Sequence, residues 1–329
     1  MNTINWVVAG IGDIARKRVI PAILAEPRSV LYGFITRDPA KAAGFPGART
    51  WPTVEEAAAN PEVDAVYLAL PVALHADAAM KALAAGKHVL CEKPMATNAA
   101  EAERMVAAGR AANRDPGSLF GVAYYRRLYP KLLRAKQLIG EGAIGQPLLV
   151  EANSHGWTET LQGREWLLDP AVAGGGPLYD VGSHRIDAMN FLFGKPERAC
   201  GVLSNAVHRM KVEDSATAVI LFAGGVHGVI DVRWNSRIAR DQFRVIGTAG
   251  EMVLDPLNGP ELRIKTSTGS GTEDRVEMLP PHANLHYPAV ANFVDGILAG
   301  SASMLACTAE EAAWTDWVIE QAALPRQSQ

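Results

Sequence analysis

The chain has 329 residues, 48% hydrophobic and 20% charged, with a formal net charge of −3, enough for two domains of ordinary globular composition, each with its own core. No apolar run approaches the roughly 20 residues needed to cross a bilayer, and no Lys/Arg block offers a field for phosphodiester backbones, so neither membrane nor nucleic acid is the expected partner. Cys91, Cys200 and Cys307 are far apart and form no CxxC pair; they indicate neither a disulfide framework nor a zinc site, and the first apolar run has no charged leader before it, so the expected location is the cytoplasm.

From the start to about Ala123, short apolar runs alternate with Ala-rich stretches, the rhythm of strand and helix units on a parallel sheet. Strands are predicted at Ile4–Ala9, Val30–Ile35, Arg49–Trp51, Ala65–Leu70, His88–Cys91 and Leu119–Ala123. Helices are predicted at Ala73–Ala85 and Ala99–Ala112, where Ala, Lys, Glu and Met dominate. Pro94 and Pro116-Gly117 punctuate the units. Beyond them a helix at Lys131–Ile139 precedes strand-like runs at Gln146–Ala152, Cys200–Val207, Ala216–Phe222, Val226–Trp234 and Gln242–Ile246. Short turns such as Ala223-Gly224-Gly225 join them, which reads as an antiparallel sheet. The stretch Thr266–Gly271 reads as a flexible turn, and Tyr287–Leu298 and Ala309–Ala323 as closing helices. The expected fold is α/β: a dinucleotide-binding domain over residues 1–123 and an α+β domain over 124–329 with a large, mostly antiparallel open sheet.

Gly10-x-Gly12-x-x-Ala15 follows a predicted strand and opens a predicted helix, the context that gives this pattern meaning. Gly10 permits the tight turn, Gly12 lets the backbone approach a pyrophosphate, and Ala15 keeps the helix against the sheet, with Asp13 and Ile14 in the turn itself. The helix N-terminus adds N–H groups and a partial positive charge. An acid at the end of the second strand would select NAD, but this strand runs out through Thr36-Arg37. A neutral hydroxyl followed by a guanidinium suits a 2′-phosphate, so NADP(H) is favoured, with NAD(H) through Asp38 as the alternative.

Asp180, His184 and Asp187 are four and three residues apart, a spacing that would put all three on one helix face. A histidine there can take or return a hydroxyl proton while hydride leaves the adjacent carbon, with Asp180 holding the ring or the hydroxyls. A hydrogen-bonded structural cluster is the competing reading. The preceding Gly174-Gly175-Gly176 would let substrate or nicotinamide approach the backbone. Glu92-Lys93-Pro94 stands at the carboxyl end of a predicted parallel strand, where open sheets bind ligands, and Lys93 is placed to donate to a reacting oxygen. Tyr125 and Trp166 are candidates for contact with a bound substrate, against ordinary packing. His155, His282 and His286 are isolated and indicate no metal site.

Taken in order, Gly10-x-Gly12-x-x-Ala15, the stretch 65–71 through His75, Gly86 to Pro94, Gly142-Ala143-Ile144-Gly145 and Gly174-Gly175-Gly176-x-x-x-Asp180-x-Gly182-x-His184-x-x-Asp187 resemble the Gfo/Idh/MocA oxidoreductase family over almost the whole chain. The resemblance implies a Rossmann NAD(P)-binding first domain and a second domain for substrate binding and association. It implies that Leu70, Pro71, His75, Glu92, Lys93 and Pro94 surround the cofactor, that Lys93, Asp180 and His184 form the catalytic group, and that Asp187 supports it. Val72 stands where the family commonly has Asn. The implied reaction moves a hydride between a nicotinamide and a secondary alcohol or ketone of a sugar, cyclitol or related polyol, in a homodimer or homotetramer built through the open sheet face. Two other readings share the glycine turn. One is a redox-assisted glycoside hydrolase or epimerase that retains its cofactor; the other is a non-catalytic cofactor-binding regulator, which has no need of Lys93 and His184 together.

Overall fold

The computed structural model describes residues 3–113, 117–158, 164–269 and 271–324. The chain divides into two units, Met1–Tyr125 with His282–Ala313 and Arg126–Pro281 with Trp314–Gln329. Pro116 and Ser270, in two of the expected turns, lie outside the described residues.

In the first unit, β1 (Ile4–Ala9), β2 (Ser29–Ile35), β3 (Arg49–Trp51), β4 (Ala65–Leu68), β5 (His88–Cys91) and β6 (Phe120–Val122) form one sheet in the order β3-β2-β1-β4-β5-β6. Every pair is parallel. The chain moves outward from β1 through β2 to β3 and then returns to the other side of β1, so the strand order reverses between β1 and β4, where open parallel sheets bind ligands. The central strands are apolar on both faces because each face has a cover: Trp6, Val8 and Tyr67 pack with Ile20 and Ile23, while Val7, Val66 and Val89 pack with Ala79, Ala82 and Met105.

The boundary expected at Ala123 is corrected for the last part of the chain, because residues 282–313 belong to the first unit. Val290, Phe293 and Val294 of the helix Tyr287–Ala299 share a core with Trp6, Tyr67 and Leu119. The Trp6 and Phe293 ring centroids lie 5.7 Å apart. The sequence marked this segment as a closing helix, but a helical reading carries no information about which distant sheet its apolar face meets.

In the second unit, β7 (Pro147–Trp157), β8 (Pro196–Ser204), β9 (Ser215–Phe222), β10 (His227–Arg233), β11 (Asn235–Gly247), β12 (Gly250–Leu254), β13 (Glu261–Thr268) and β14 (Gly271–Met278) form an eight-stranded sheet in the order β14-β13-β12-β11-β7-β10-β9-β8. All neighbours are antiparallel except β7 and β10. One face buries Val150, Ala152, Ala218, Ile220, Phe222, Ile230 and Val232. The helix Ser183–Phe193 covers it, since the position of a Cβ on Gly228 of β10 lies 3.2 Å from the Met189 sulfur. The small apolar row of β9 therefore faces its own helices. The opposite face is polar: Asp231 accepts from Arg233 Nε at 2.6 Å and Thr217 Oγ1 at 2.5 Å, and lies 2.7 Å from His155 Nε2.

The same helix is anchored by a fully buried ion pair. Asp187 Oδ1 accepts from Arg127 Nη2 at 2.7 Å and from Arg127 Nε at 3.0 Å, with the two side chains 0% and 1% exposed. Such a pair contributes little beyond a good apolar contact while intact, but removing one partner strands the other charge in a dry interior. Replacing Asp187 with Asn is expected to lower stability by about 3–5 kcal/mol, measured by chemical denaturation. A loss below about 1 kcal/mol, the range of an exposed pair, would show that the ion pair is not buried as described.

Candidate active site

At the end of β1 the chain turns at Gly10, with φ +87°, and a Cβ there would lie 2.6 Å from the Ala69 carbonyl oxygen. Only glycine permits that turn and lets the ends of β1 and β4 approach. Gly12 is the opposite case: nothing lies within 4 Å of the position its Cβ would take. Helix begins directly afterwards, with Arg16 N donating to the Gly12 carbonyl at 3.0 Å, and runs through a π-helical turn, Ala15–Val19, into Ile20–Ala25. Ala15 is buried, Ile14 is 38% exposed, and Asp13 pairs with Lys17 at the surface. An open, side-chain-free backbone at the start of a helix fits a dinucleotide pyrophosphate.

The loop after β2 is built by its own hydrogen bonds. Thr36 Oγ1 donates to the Asp38 carbonyl and accepts from Asp38 N, both at 3.1 Å. Asp38 Oδ1 accepts from Ala40 N at 3.1 Å and caps the short helix Pro39–Ala42. Arg37 is exposed, and Arg16 reaches the same loop, its Nη2 donating to the Lys41 carbonyl at 2.7 Å.

Between β4 and β5 the residues singled out in the sequence come together. His75 is 1% exposed, with Nδ1 3.1 Å from the Pro94 carbonyl and Nε2 2.9 Å from the Leu70 carbonyl. It ties the Leu70-Pro71 turn to the Glu92-Lys93-Pro94 turn through backbone, and burial holds its pKa below the ordinary histidine value although both carbonyls oppose this. Val72 is 4% exposed, so an apolar side chain suits that position. Lys93 is half-buried and its bond to Pro94 is cis.

Glu92 is 6% exposed and carries three hydrogen bonds. Oε1 accepts from Tyr67 Oη at 2.8 Å and from His286 Nε2 at 3.1 Å, and Oε2 accepts from Lys93 N at 3.3 Å. Burial alone would push this carboxyl up, but the hydrogen bond and charge of His286, the charge of Lys93 and the hydrogen bond of Tyr67 together hold it below the ordinary glutamate value. Tyr125 packs its ring on that of His286, centroids 4.5 Å apart.

In the second unit the glycine run has an internal packing reason that the sequence did not reveal. A Cβ on Gly174 or Gly175 would lie 2.5 or 2.4 Å from the Tyr179 ring, and one on Gly176 would lie 2.2 Å from the Glu213 carbonyl oxygen. The missing side chains make room for these neighbours. The Glu213 carboxylate accepts from Gly176 N at 2.8 Å and Leu178 N at 3.1 Å. Burial pushes its pKa up against the pull of those amides, and also pushes Tyr179 up to about 12.

The single α-helical face expected for Asp180, His184 and Asp187 is also corrected. Leu178–Gly182 forms a π-helical turn and the α-helix starts at Ser183, so Asp180 belongs to a wider turn than the other two. Asp180 is half-buried, 3.6 Å from the exposed Arg164 guanidinium, whereas His184 is 5% exposed. Asp187 is committed to Arg127. Trp166 is 39% exposed on the short helix Glu165–Leu168.

Glu213 and His286 were missed by sequence reasoning. Glu213 precedes β9 with no motif around it, and His286 lies 194 residues from the carboxylate it meets. Neither spacing carries a signal. Among the described residues no three His, Cys, Asp or Glu side chains gather as a metal site, and no helix is long and apolar enough to cross a membrane.

Two family models match the chain: residues 4–115 match the oxidoreductase family NAD-binding Rossmann fold, and residues 132–253 match the GFO/IDH/MocA C-terminal domain. The chain is 30% identical over 299 residues to 1,5-anhydro-D-fructose reductase of Ensifer adhaerens, covering 89% of this chain and 88% of that protein. It is 29% identical over 270 residues to D-xylose 1-dehydrogenase [NADP(+)] of Haloarcula marismortui, covering 78% of this chain and 73% of the relative. Levoglucosan dehydrogenase in complex with NADH has the same fold, with a TM-score of 0.86 at 22% identity over 97% of this chain and 95% of that one. A glycine turn at the switch point of a parallel sheet, the Glu-Lys-Pro turn beside it, and the Asp/His helix against a mostly antiparallel sheet thus occur in one chain with both matching domains: it belongs to the Gfo/Idh/MocA family of oxidoreductases and is a dehydrogenase or reductase.

Proposed function

We propose that the enzyme prefers NADP(H) and moves a hydride between the nicotinamide and a secondary alcohol or ketone of a small polyhydroxylated molecule, a sugar, anhydro sugar or cyclitol. The observation that carries the cofactor preference is the loop after β2. Asp38, the one acid near enough in sequence to take an adenosine ribose, spends a carboxylate oxygen capping Pro39–Ala42, while Thr36 sets a neutral side chain engaged with the Asp38 backbone at the strand end and the exposed Arg37 sets a guanidinium there. That combination favours a 2′-phosphate over a bare ribose. The names of the relatives include both NADP(+) and NADH, so the preference rests on this chain's own residues. The substrate class is supported by 1,5-anhydro-D-fructose, D-xylose and levoglucosan in the names of similar proteins.

When bound, the nicotinamide accepts or donates the hydride. The residues of this chain supply the rest. In the oxidative direction the imidazole of His184 takes the hydroxyl proton as the carbinol C–H bond breaks and the C=O bond forms; in the reductive direction it returns that proton to the carbonyl oxygen. The Lys93 ammonium donates a hydrogen bond to the same oxygen and stabilises the negative charge it gathers. Asp180 orients the imidazole or holds a neighbouring hydroxyl, and Tyr125 and Trp166 offer ring faces to a sugar. The family resemblance supports assigning these roles to one substrate. The enzyme further pairs with a second copy through the open face of the eight-stranded sheet. Arg244 with Glu151 and Glu251, and Arg263 with Asp274, intersperse both signs on that face, which allows self-complementary contact about a two-fold axis.

Replacing Thr36 with Asp should weaken NADP(H) binding far more than NAD(H) binding by setting a like charge beside the 2′-phosphate, as read by fluorescence titration of each cofactor. Tighter binding of NAD(H) than NADP(H) by the unaltered protein would contradict the preference. His184→Asn should lower turnover by about 100-fold or more with NADP(H) affinity nearly intact, and Lys93→Met should weaken substrate affinity as well as turnover. Near-normal steady-state kinetics in both variants would mean that these residues are structural. Sedimentation at micromolar concentration should give a dimer or tetramer, and a monomer would contradict association through the sheet.

A further inference from the structure

The segment around His286 connects two elements of the first unit that the sequence does not relate. Asn284 Nδ2 donates to the Arg18 carbonyl in the π-helical turn after the glycine motif, at 2.9 Å, and Asn284 Oδ1 accepts from His286 N at 3.1 Å. His286 then stands at the N-cap of Tyr287–Ala299 with its ring against Glu92 and Tyr125. The ring is held tightly: the residue is 2% exposed, and its Nδ1 has no hydrogen-bond partner among the described residues. An ionised carboxylate can only accept, so His286 Nε2 carries a proton and donates it to Glu92.

We propose that His286 is a positioning residue for Lys93: by donating through Nε2 it fixes the Glu92 carboxylate beneath the Lys93 peptide and so fixes the turn from which the Lys93 side chain departs. The inference deepens the reading above, in which Lys93 meets the reacting oxygen. Among the described residues the donors that meet Glu92 in the interior include Tyr67 from β4, the Lys93 amide from its own turn, and His286. Tyr67 is held far toward its neutral form, first by burial and then by the Glu92 charge, so it serves as a hydrogen-bond donor and not as a proton source. His75 from the neighbouring helix feels the same charge, and Tyr125 closes the far side of the His286 ring. Removal of His286 leaves a buried carboxylate underdonated. It then either takes up a proton or turns toward another donor, and in both cases loses its grip on the Lys93 amide.

Two substitutions separate the hydrogen bond from the ring. His286→Phe keeps a ring against Tyr125 and deletes the donor; His286→Gln keeps an N–H that does not titrate. In apoprotein labelled with [5-13C]glutamate, with the Glu92 signal assigned through Glu92→Gln, the carboxyl titration should move up by about one to two pH units in His286→Phe, the worth of a hydrogen bond to a charged group. His286→Gln should restore most of it. With NADP(H) and a turned-over substrate, kcat should fall by about 10–100-fold in His286→Phe, the scale of a small misplacement of a reacting group, and recover in His286→Gln. An unchanged Glu92 titration in His286→Phe, or equal impairment of the two variants, overturns the proposal. A wild-type protein that reduces or oxidises nothing in a sugar and polyol panel would count against the function proposed above, while the apoprotein titration would still decide the role of His286.

Discussion

The carboxylate of Glu92 is buried and that of Glu213 half-buried against backbone, and an ionised carboxylate withdrawn from water is tolerated only where donors surround it. That constraint shapes both turns to which the proposed chemistry is assigned. Glu213 is met by the amides of Gly176 and Leu178, and these fix the start of the π-helical turn that contains Asp180. Glu92 is met by Tyr67, His286 and the amide of Lys93. In each case the acid holds a backbone on which a polar side chain stands, so the placement of that side chain is a consequence of satisfying the acid.

The sheet of the first unit was legible because its strands are buried on both faces and read as continuous apolar runs, from Ile4–Ala9 to His88–Cys91. The glycine turn was legible for a local reason as well, since Gly10 needs a positive φ and Gly12 needs empty space. The eight-stranded sheet was read as mostly antiparallel, but β12, β13 and β14 were not foreseen, because Glu261–Thr268 and Gly271–Met278 carry charges on their exposed faces and little continuous apolar signal. Nor could periodicity show which side of β9 is open. Its apolar row, Ala216 to Phe222, is the covered side, and the polar network of His155, Thr217, Asp231 and Arg233 lies on the other.

At the site, motif reasoning found the residues that stand on the turns and missed those beneath them. Lys93, Asp180 and His184 lie in patterns with fixed spacing, whereas Glu213 and His286 act across 37 and 194 residues of sequence on partners that only the fold brings near. The glycine run has a packing reason that its motif did not reveal: its lack of side chains accommodates Tyr179 and Glu213. The place of Asp187 in the motif resembles that of a reactive group, while its buried pairing with Arg127 makes it an anchor of the helix.

The central claim is that this chain transfers hydride directly between a nicotinamide and the carbinol carbon of a polyhydroxylated molecule. The most direct test supplies NADPH deuterated at one or the other face of nicotinamide C4, together with a panel of keto sugars and anhydro-keto sugars, and reads the products by mass spectrometry. The account predicts that deuterium from one face, and not the other, appears on the newly formed carbinol carbon. Products that carry no deuterium from either face, or no product from any member of the panel with either NADPH or NADH, would contradict it.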